Sequence, residues 1–224
     1  MSIASNFRIL QERIERACIA AGRDPSEVTL IAATKSVSSE SILEAAELGI
    51  RHFGENYLQE AVRKRPYCPV AATWHFIGRI QGNKARRIGE EFTWIHTVDS
   101  ADKAAKVGAG ASQTGRKAEV LIEVNIAREP QKAGILPDQV ANLAELVYHL
   151  PGVRLRGLMT MGPANRNAEE LRPYFQAMRR LLEGLSIESA DCLSMGMSHD
   201  LDVAIQEGAT HVRVGTALFG RRET

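Results

Sequence analysis

Lys35 ends the run Leu30-Ile31-Ala32-Ala33-Thr34-Lys35. A buried strand that stops on a lysine puts an ammonium where water is scarce, which disfavours its charged form. A neutral amine is a nucleophile, so the position suits a Schiff-base lysine; a side chain that snorkels past the strand end into solvent is the plain alternative. A second candidate lies far downstream in His211-Val212-Arg213-Val214-Gly215-Thr216. Period two places His211, Arg213 and Gly215 on one face and the two valines on the other, and valines suit a face covered by helices. Arg213 then points inward, where it needs an acceptor, either a structural carboxylate or a ligand atom. Ser194-Met195-Gly196-Met197-Ser198 and Gly215-Thr216 are the third candidate. Small residues and hydroxyls after strands let backbone N–H groups approach an anion, although turn chemistry alone also accounts for them.

These residues need a scaffold that brings positions 35 and 194–216 together. Apolar residues at helical spacing from about Ser5 to Ala21, stopped by Gly22, predict a helix ahead of the first strand. Strands are then expected at 30–35, 52–56, 74–78, 94–98, 118–126, 153–161, 192–196 and 211–220. Helices are expected at 41–49, 58–65, 83–91, from 99, 138–150, 168–185 and 201–207, so that each strand but the last is followed by one. Regular alternation calls for a parallel sheet, and about eight repeats in a chain of this length match a closed (β/α)8 barrel. An open doubly wound sheet is the runner-up, but no GxGxxG turn follows the first strand. With no Pro- or Ser-rich linker, residues 1–224 are expected to form a single domain.

In such a barrel active groups gather where strands end, and phosphates commonly bind after the seventh and eighth strands. Lys35, Arg213 and a phosphate cradle on one face together suggest pyridoxal 5'-phosphate (PLP): an internal aldimine on Lys35, the phosphate on the cradle and the arginine beside the pyridine nitrogen. A permanent cation there disfavours protonation of that nitrogen and weakens the ring as an electron sink, which predicts a reluctant catalyst.

Ala33-Thr34-Lys35, Phe53-Gly54-Glu55-Asn56, Trp74-His75-Phe76-Ile77-Gly78 with Gln81 and Asn83-Lys84, and Leu158-Met159-Thr160-Met161 follow one another along the chain. Leu193-Ser194-Met195-Gly196-Met197-Ser198 with Asp200 and Arg213-Val214-Gly215-Thr216-Ala217-Leu218-Phe219-Gly220 complete the set. Together they resemble the pyridoxal phosphate homeostasis family, the YggS or PROSC type, over nearly the whole chain. The resemblance implies a TIM barrel of the alanine racemase N-terminal type, with PLP held by Lys35. By matching motif, Ser194, Gly215 and Thr216 would bind the phosphate, Arg213 the pyridine nitrogen, and Asn56 and His75 would line the same pocket. A satisfied core histidine remains the alternative for His75. Met159 and Met161 could touch the ring, although packing is the commoner use of methionine.

The function the resemblance implies is intracellular PLP homeostasis, by buffering the cofactor or delivering it to apo-enzymes, with indirect effects on amino- and keto-acid metabolism. No catalytic residue and no metal are expected. An amino-acid racemase is the competing class, but racemisation needs an acid/base on each face of Cα. Lys35 could serve one face; none of Tyr57, Tyr67, Tyr148 and Tyr174 is placed by sequence opposite it. The chain is expected to end at Arg221-Arg222-Glu223-Thr224 without the further domain that helps complete racemase sites. A cofactor-free Schiff-base aldolase on the same lysine is a third reading.

Composition excludes other classes. Net charge is +1, so no global field draws in nucleic acid or anionic lipid. The cluster Lys84, Arg86 and Arg87 and the lone Lys132 read first as solvated surface, with outgoing phosphate as their functional alternative. The three cysteines Cys18, Cys68 and Cys192 lack CxxC spacing, which argues against zinc and disulfides. No apolar run is long enough to span a bilayer. A reduced, cytoplasmic monomer is the expectation.

Overall fold

The computed structural model describes residues 2–68 and 71–220. Eight parallel strands close into one barrel in sequence order. They are β1 (Thr29–Ala33), β2 (His52–Glu55), β3 (Thr73–Phe76), β4 (Trp94–Val98), β5 (Ala118–Glu123), β6 (Val153–Met159), β7 (Cys192–Ser194) and β8 (His211–Val214). The helices are α1 (Ile3–Ala20), α2 (Ser39–Glu47), α3 (Leu58–Lys64), α4 (Ala85–Glu91), α5 (Ala101–Gln113), α6 (Val140–Tyr148), α7 (Ala168–Glu183), α8 (Leu201–Gln206) and α9 (Thr216–Phe219).

Alternation along the strands sorts the side chains. Ala32, Phe53, Trp74, Ile95, Val120, Leu158, Leu193, Val212 and Val214 are buried in the main apolar core, which also takes in the helices. The opposite face is mixed: His75, His96, Ser194, His211 and Arg213 are all buried, together with Ile31 and a small apolar cluster of Leu121, Met159 and Cys192. Closure brings Ile31 of β1 into register with Arg213 of β8, so the ends of the first and last strands adjoin as the alternation required.

The extra N-terminal helix is positioned by its cap and its apolar stripe. Ser2 accepts from the Ser5 N–H at 3.2 Å, and Leu10, Ile14, Ala17 and Cys18 are buried. On its other side Arg13 donates to Ser198 O at 2.9 Å and pairs with Asp202. α1 therefore braces the loop after β7. Among the described residues no helix is long and apolar enough to cross a membrane.

Several strands are shorter than their apolar runs predict. β1 stops at Ala33, which leaves Lys35 in the following loop, half exposed rather than buried. β3, β5, β6 and β7 likewise end before the residues that line the barrel mouth. The last unit is a strand plus a helical turn, not a ten-residue strand: Gly215 O accepts from the Leu218 and Phe219 N–H groups at 3.0 and 2.9 Å, which starts α9. The predicted end of the chain at 221–224 lies outside the described residues.

Candidate active site

A cleft of roughly 390 Å³ opens at the C-terminal ends of the strands, and Lys35, Asn56, Arg213, Gly215 and Thr216 line it. Five of the seven residues expected at the site thus meet. The cleft also takes in Met161, Met197, Ser198 and His199 and contains no carboxylate. Its side-chain polar groups are two cations, two hydroxyls, an amide and an imidazole. That set suits an anion, and the lysine adds a nucleophile for an electrophilic carbon.

Arg213 is held from behind. It is 6% exposed, and it donates to Ser194 Oγ at 2.5 Å and to Thr160 O at 2.9 Å. Both acceptors are neutral; Asp200 and Glu123 act on it only through space. Burial pulls its pKa down to about 10 against those two carboxylates, which leaves it cationic at neutral pH. The structural salt bridge considered from sequence is therefore not what holds it. Glu123, at the end of β5, is pushed up to about 7 by burial, with Asp99 adding to the effect.

The two cradle loops are joined to each other. Gly196 turns the chain at φ +94°, where a Cβ would lie 2.6 Å from the Ala204 Cβ. Asp200, 1% exposed, accepts from the Met197 N–H at 2.5 Å. Ser198 then accepts from the Ala217 N–H at 3.3 Å, which leaves its own hydroxyl proton free to donate to an anion.

His75 and Ser194 lie below the cleft, inside the barrel. His75 Nε2 is 2.9 Å from His52 Nδ1 and its Nδ1 is 2.9 Å from His96 Nε2. His96 Nδ1 is in turn 2.9 Å from Ser194 Oγ. Burial drives His75 and His96 well below the usual histidine range. His75 is thus a satisfied core histidine, and Ser194 links this chain to Arg213. At the cleft wall the hydroxyl comes from Ser198 instead. The sequence held a signal for that exchange: a glycine two residues after an inward serine turns the chain back over the barrel mouth.

Two further residues stand near the lysine or the cleft: Tyr57, which the sequence named but did not place against Lys35, and His199, which it missed. The Lys35 Nζ sits 5.6 Å from the centroid of the Tyr57 ring, so Tyr57 lies beside the lysine. His199, in the loop after β7, has Nε2 3.5 Å from Asp200 Oδ2. Met161 lines the cleft, whereas Met159 is buried with Leu121 and Cys192. Lys132 donates to Gly162 O at 2.7 Å and pairs with Glu129 at 2.5 Å. Arg87 pairs with Glu90 and Glu91 on the surface of α4. Among the described residues no group of His, Cys, Asp or Glu could hold a metal ion.

The family model described as alanine racemase, N-terminal domain, matches residues 2–223. A pyridoxal phosphate homeostasis protein of Pseudomonas aeruginosa is 43% identical over 223 residues, covering 99% of this chain and 96% of the relative. The chain belongs to this family. A pyridoxal phosphate homeostasis protein of Aquifex aeolicus is 41% identical, with 100% of both chains covered. The structure of PipY of Synechococcus elongatus PCC7942 with PLP bound superposes with a TM-score of 0.83 at 34% identity, over 98% of this chain and 100% of PipY. As a member of this family the chain has its barrel of the alanine racemase N-terminal type, with α1 in front of it.

Proposed function

We propose that this protein binds pyridoxal 5'-phosphate in the cleft and serves PLP homeostasis, holding the cofactor and releasing it to apo-enzymes. The observation that carries the reading is the convergence of Lys35 and Arg213 on one cleft whose lining holds no carboxylate. Family membership supports it, as does PipY, a similar protein whose structure is described with PLP bound. When bound, the cofactor supplies an aldehyde carbon that a lysine amine captures reversibly with loss of water. Lys35 is the residue for that linkage. Gly215, Thr216 and Ser198 supply the small backbone and the hydroxyls for the phosphate. Arg213, which keeps its proton at neutral pH, would donate to the ring nitrogen rather than protonate it, which would favour holding over turnover. Asn56 adds an amide at the end of β2, the neighbour of β1. Ser194 acts through Arg213, and His75 acts through His96 and Ser194.

The same reading takes residues 1–224 as one cofactor-binding domain, supported by a single closed sheet. A monomer in the cytoplasm with its thiols reduced accords with free Cys18, Cys68 and Cys192. Native mass measurement tests the monomer.

One observation favours a racemase as a second reading: His199 stands on the cleft wall with Asp200 behind it. Its side chain is 54% exposed, which suits a solvated loop histidine better than a working base. The experiments separate the readings. Purified protein given PLP turns yellow, and borohydride fixes one cofactor on Lys35, an adduct that Lys35→Ala abolishes. The loaded protein restores activity to a PLP-dependent apo-enzyme and racemises amino acids no faster than the Lys35→Ala variant. A colourless protein without adduct refutes the binding reading, and Lys35-dependent racemisation at ordinary enzyme rates replaces the carrier by the enzyme.

A further inference from the structure

The most deeply buried lysine near the cleft is not Lys35 but Lys64, the last residue of α3, with 2% of its side chain exposed. Its ammonium is fully engaged: it donates to Thr34 O at 2.8 Å, to Glu55 Oε1 at 2.6 Å and to Glu60 Oε2 at 2.7 Å. Each partner is also bonded to the Lys35 turn or belongs to it. Glu55 Oε1 accepts from the Thr34 hydroxyl at 2.8 Å. Glu60 Oε2 accepts from the Ser36 N–H at 3.1 Å. Thr34 and Ser36 are the two neighbours of Lys35 in the chain, and Glu55 is followed directly by Asn56, another cleft residue.

Stability alone does not account for this cluster. Apolar side chains of similar volume commonly replace a buried ion pair without loss, and this one leaves Glu55 Oε2 buried without a partner. Nor is the turn relaxed, because Ser36 sits at φ +58°, a left-handed conformation that a non-glycine residue keeps only when its surroundings over-determine it. Glu60 supplies the acceptor that holds Ser36 there. None of Lys64, Glu55 and Glu60 lines the cleft.

We infer that Lys64 is a positioning residue for Lys35: through Glu55, Glu60 and the Thr34 carbonyl, one buried ammonium fixes both flanks of the Lys35 turn and aims the reactive amine into the cleft. This rests on the PLP reading proposed above and deepens it. The phosphate cradle on the loops after β7 and β8 lies outside the clamp, so cofactor capture and phosphate binding are separable.

The test uses that separation. In the double variant Lys64→Met/Glu55→Gln no unpaired buried carboxylate is left at position 55. Its fold is checked by circular dichroism, its cradle by the affinity for the phosphorylated PLP analogue that lacks the aldehyde, and its lysine by the rate at which borohydride-trappable PLP appears on Lys35. The inference expects the analogue to bind as in the wild type, while capture slows by about ten- to a hundred-fold, as small misplacements of a reacting group do. Glu60→Ala, at a half-exposed position, removes the Ser36 arm alone and slows capture by a few-fold. Capture at the wild-type rate in a folded double variant overturns the inference, as does a parallel fall in analogue affinity. If the double variant does not fold, wild-type capture by Glu60→Ala overturns it. Failure of the wild type itself to capture PLP strikes the PLP reading instead.

Discussion

Replacing His211 makes a quantitative test of the polar barrel interior. His211 is 7% exposed, and its pKa is pulled down from 6.5 to about 4, first by burial and then by His52, Arg156 and Arg213, with Asp191 opposing. The unfolded chain takes up this proton below about pH 6.5 and the folded chain does not. The stabilisation is therefore complete above that value and is lost as pH falls towards 4. The full gap corresponds to roughly 3 kcal/mol, of which about 2 kcal/mol is lost by pH 5. Glu123, raised to about 7, works in the opposite sense and stabilises the fold as pH falls. Wild type alone would mix these effects, so the informative quantity is a difference. Urea unfolding of wild type and His211→Asn at pH 7.5 and pH 5, followed by far-UV circular dichroism, isolates it. The variant is the less stable at pH 7.5, and the gap should shrink by about 2 kcal/mol at pH 5. A gap that does not change with pH refutes the account of a neutral histidine held against protonation.

Gly196→Ala should destabilise by about 2–3 kcal/mol in the same unfolding assay and weaken PLP binding, because alanine is strained at φ +94° and its Cβ meets Ala204 at 2.6 Å. Ser198→Ala removes the proposed charge-assisted hydrogen bond to the phosphate and should raise the PLP dissociation constant about ten- to a hundred-fold in an absorbance titration, with only a small fall in Tm from the lost 3.3 Å bond to the Ala217 N–H. Cys192, whose thiol burial pushes up to about 12, should resist iodoacetamide at pH 8 in the folded protein and react once urea unfolds it, as peptide mass mapping would report.

The barrel was legible because its signal is repetitive: eight apolar runs, each punctuated by a glycine, a cap residue or a charge. Arg213 was legible for the same reason, since two flanking valines fix which way it faces. What escaped was local. Apolar character does not end where strand pairing ends, so the sequence overstates β1 by two residues and makes Lys35 more buried than it is. Ser194 and Ser198 cannot be told apart by type, and only the turn at Gly196 decides which one reaches the cleft. Lys64 carries no sequence signal of burial: it stands among Arg63, Arg65 and other charged residues at a helix end, and its partners come from three separate segments.

The line of side chains beneath the cleft has an electrical sense. A guanidinium can only give protons, so Ser194 Oγ receives one from Arg213 and has its own hydrogen left for His96 Nδ1. His96, being neutral, then carries its proton on Nε2 and gives it to His75 Nδ1; His75 gives its Nε2 proton to His52 Nδ1. Every group in the row is satisfied when all three imidazoles take the same tautomer, head to tail. One arginine at the barrel mouth thereby orients a file of dipoles that runs through the barrel to His52 at the start of β2, and replacing it with an apolar residue would free the whole file to reverse.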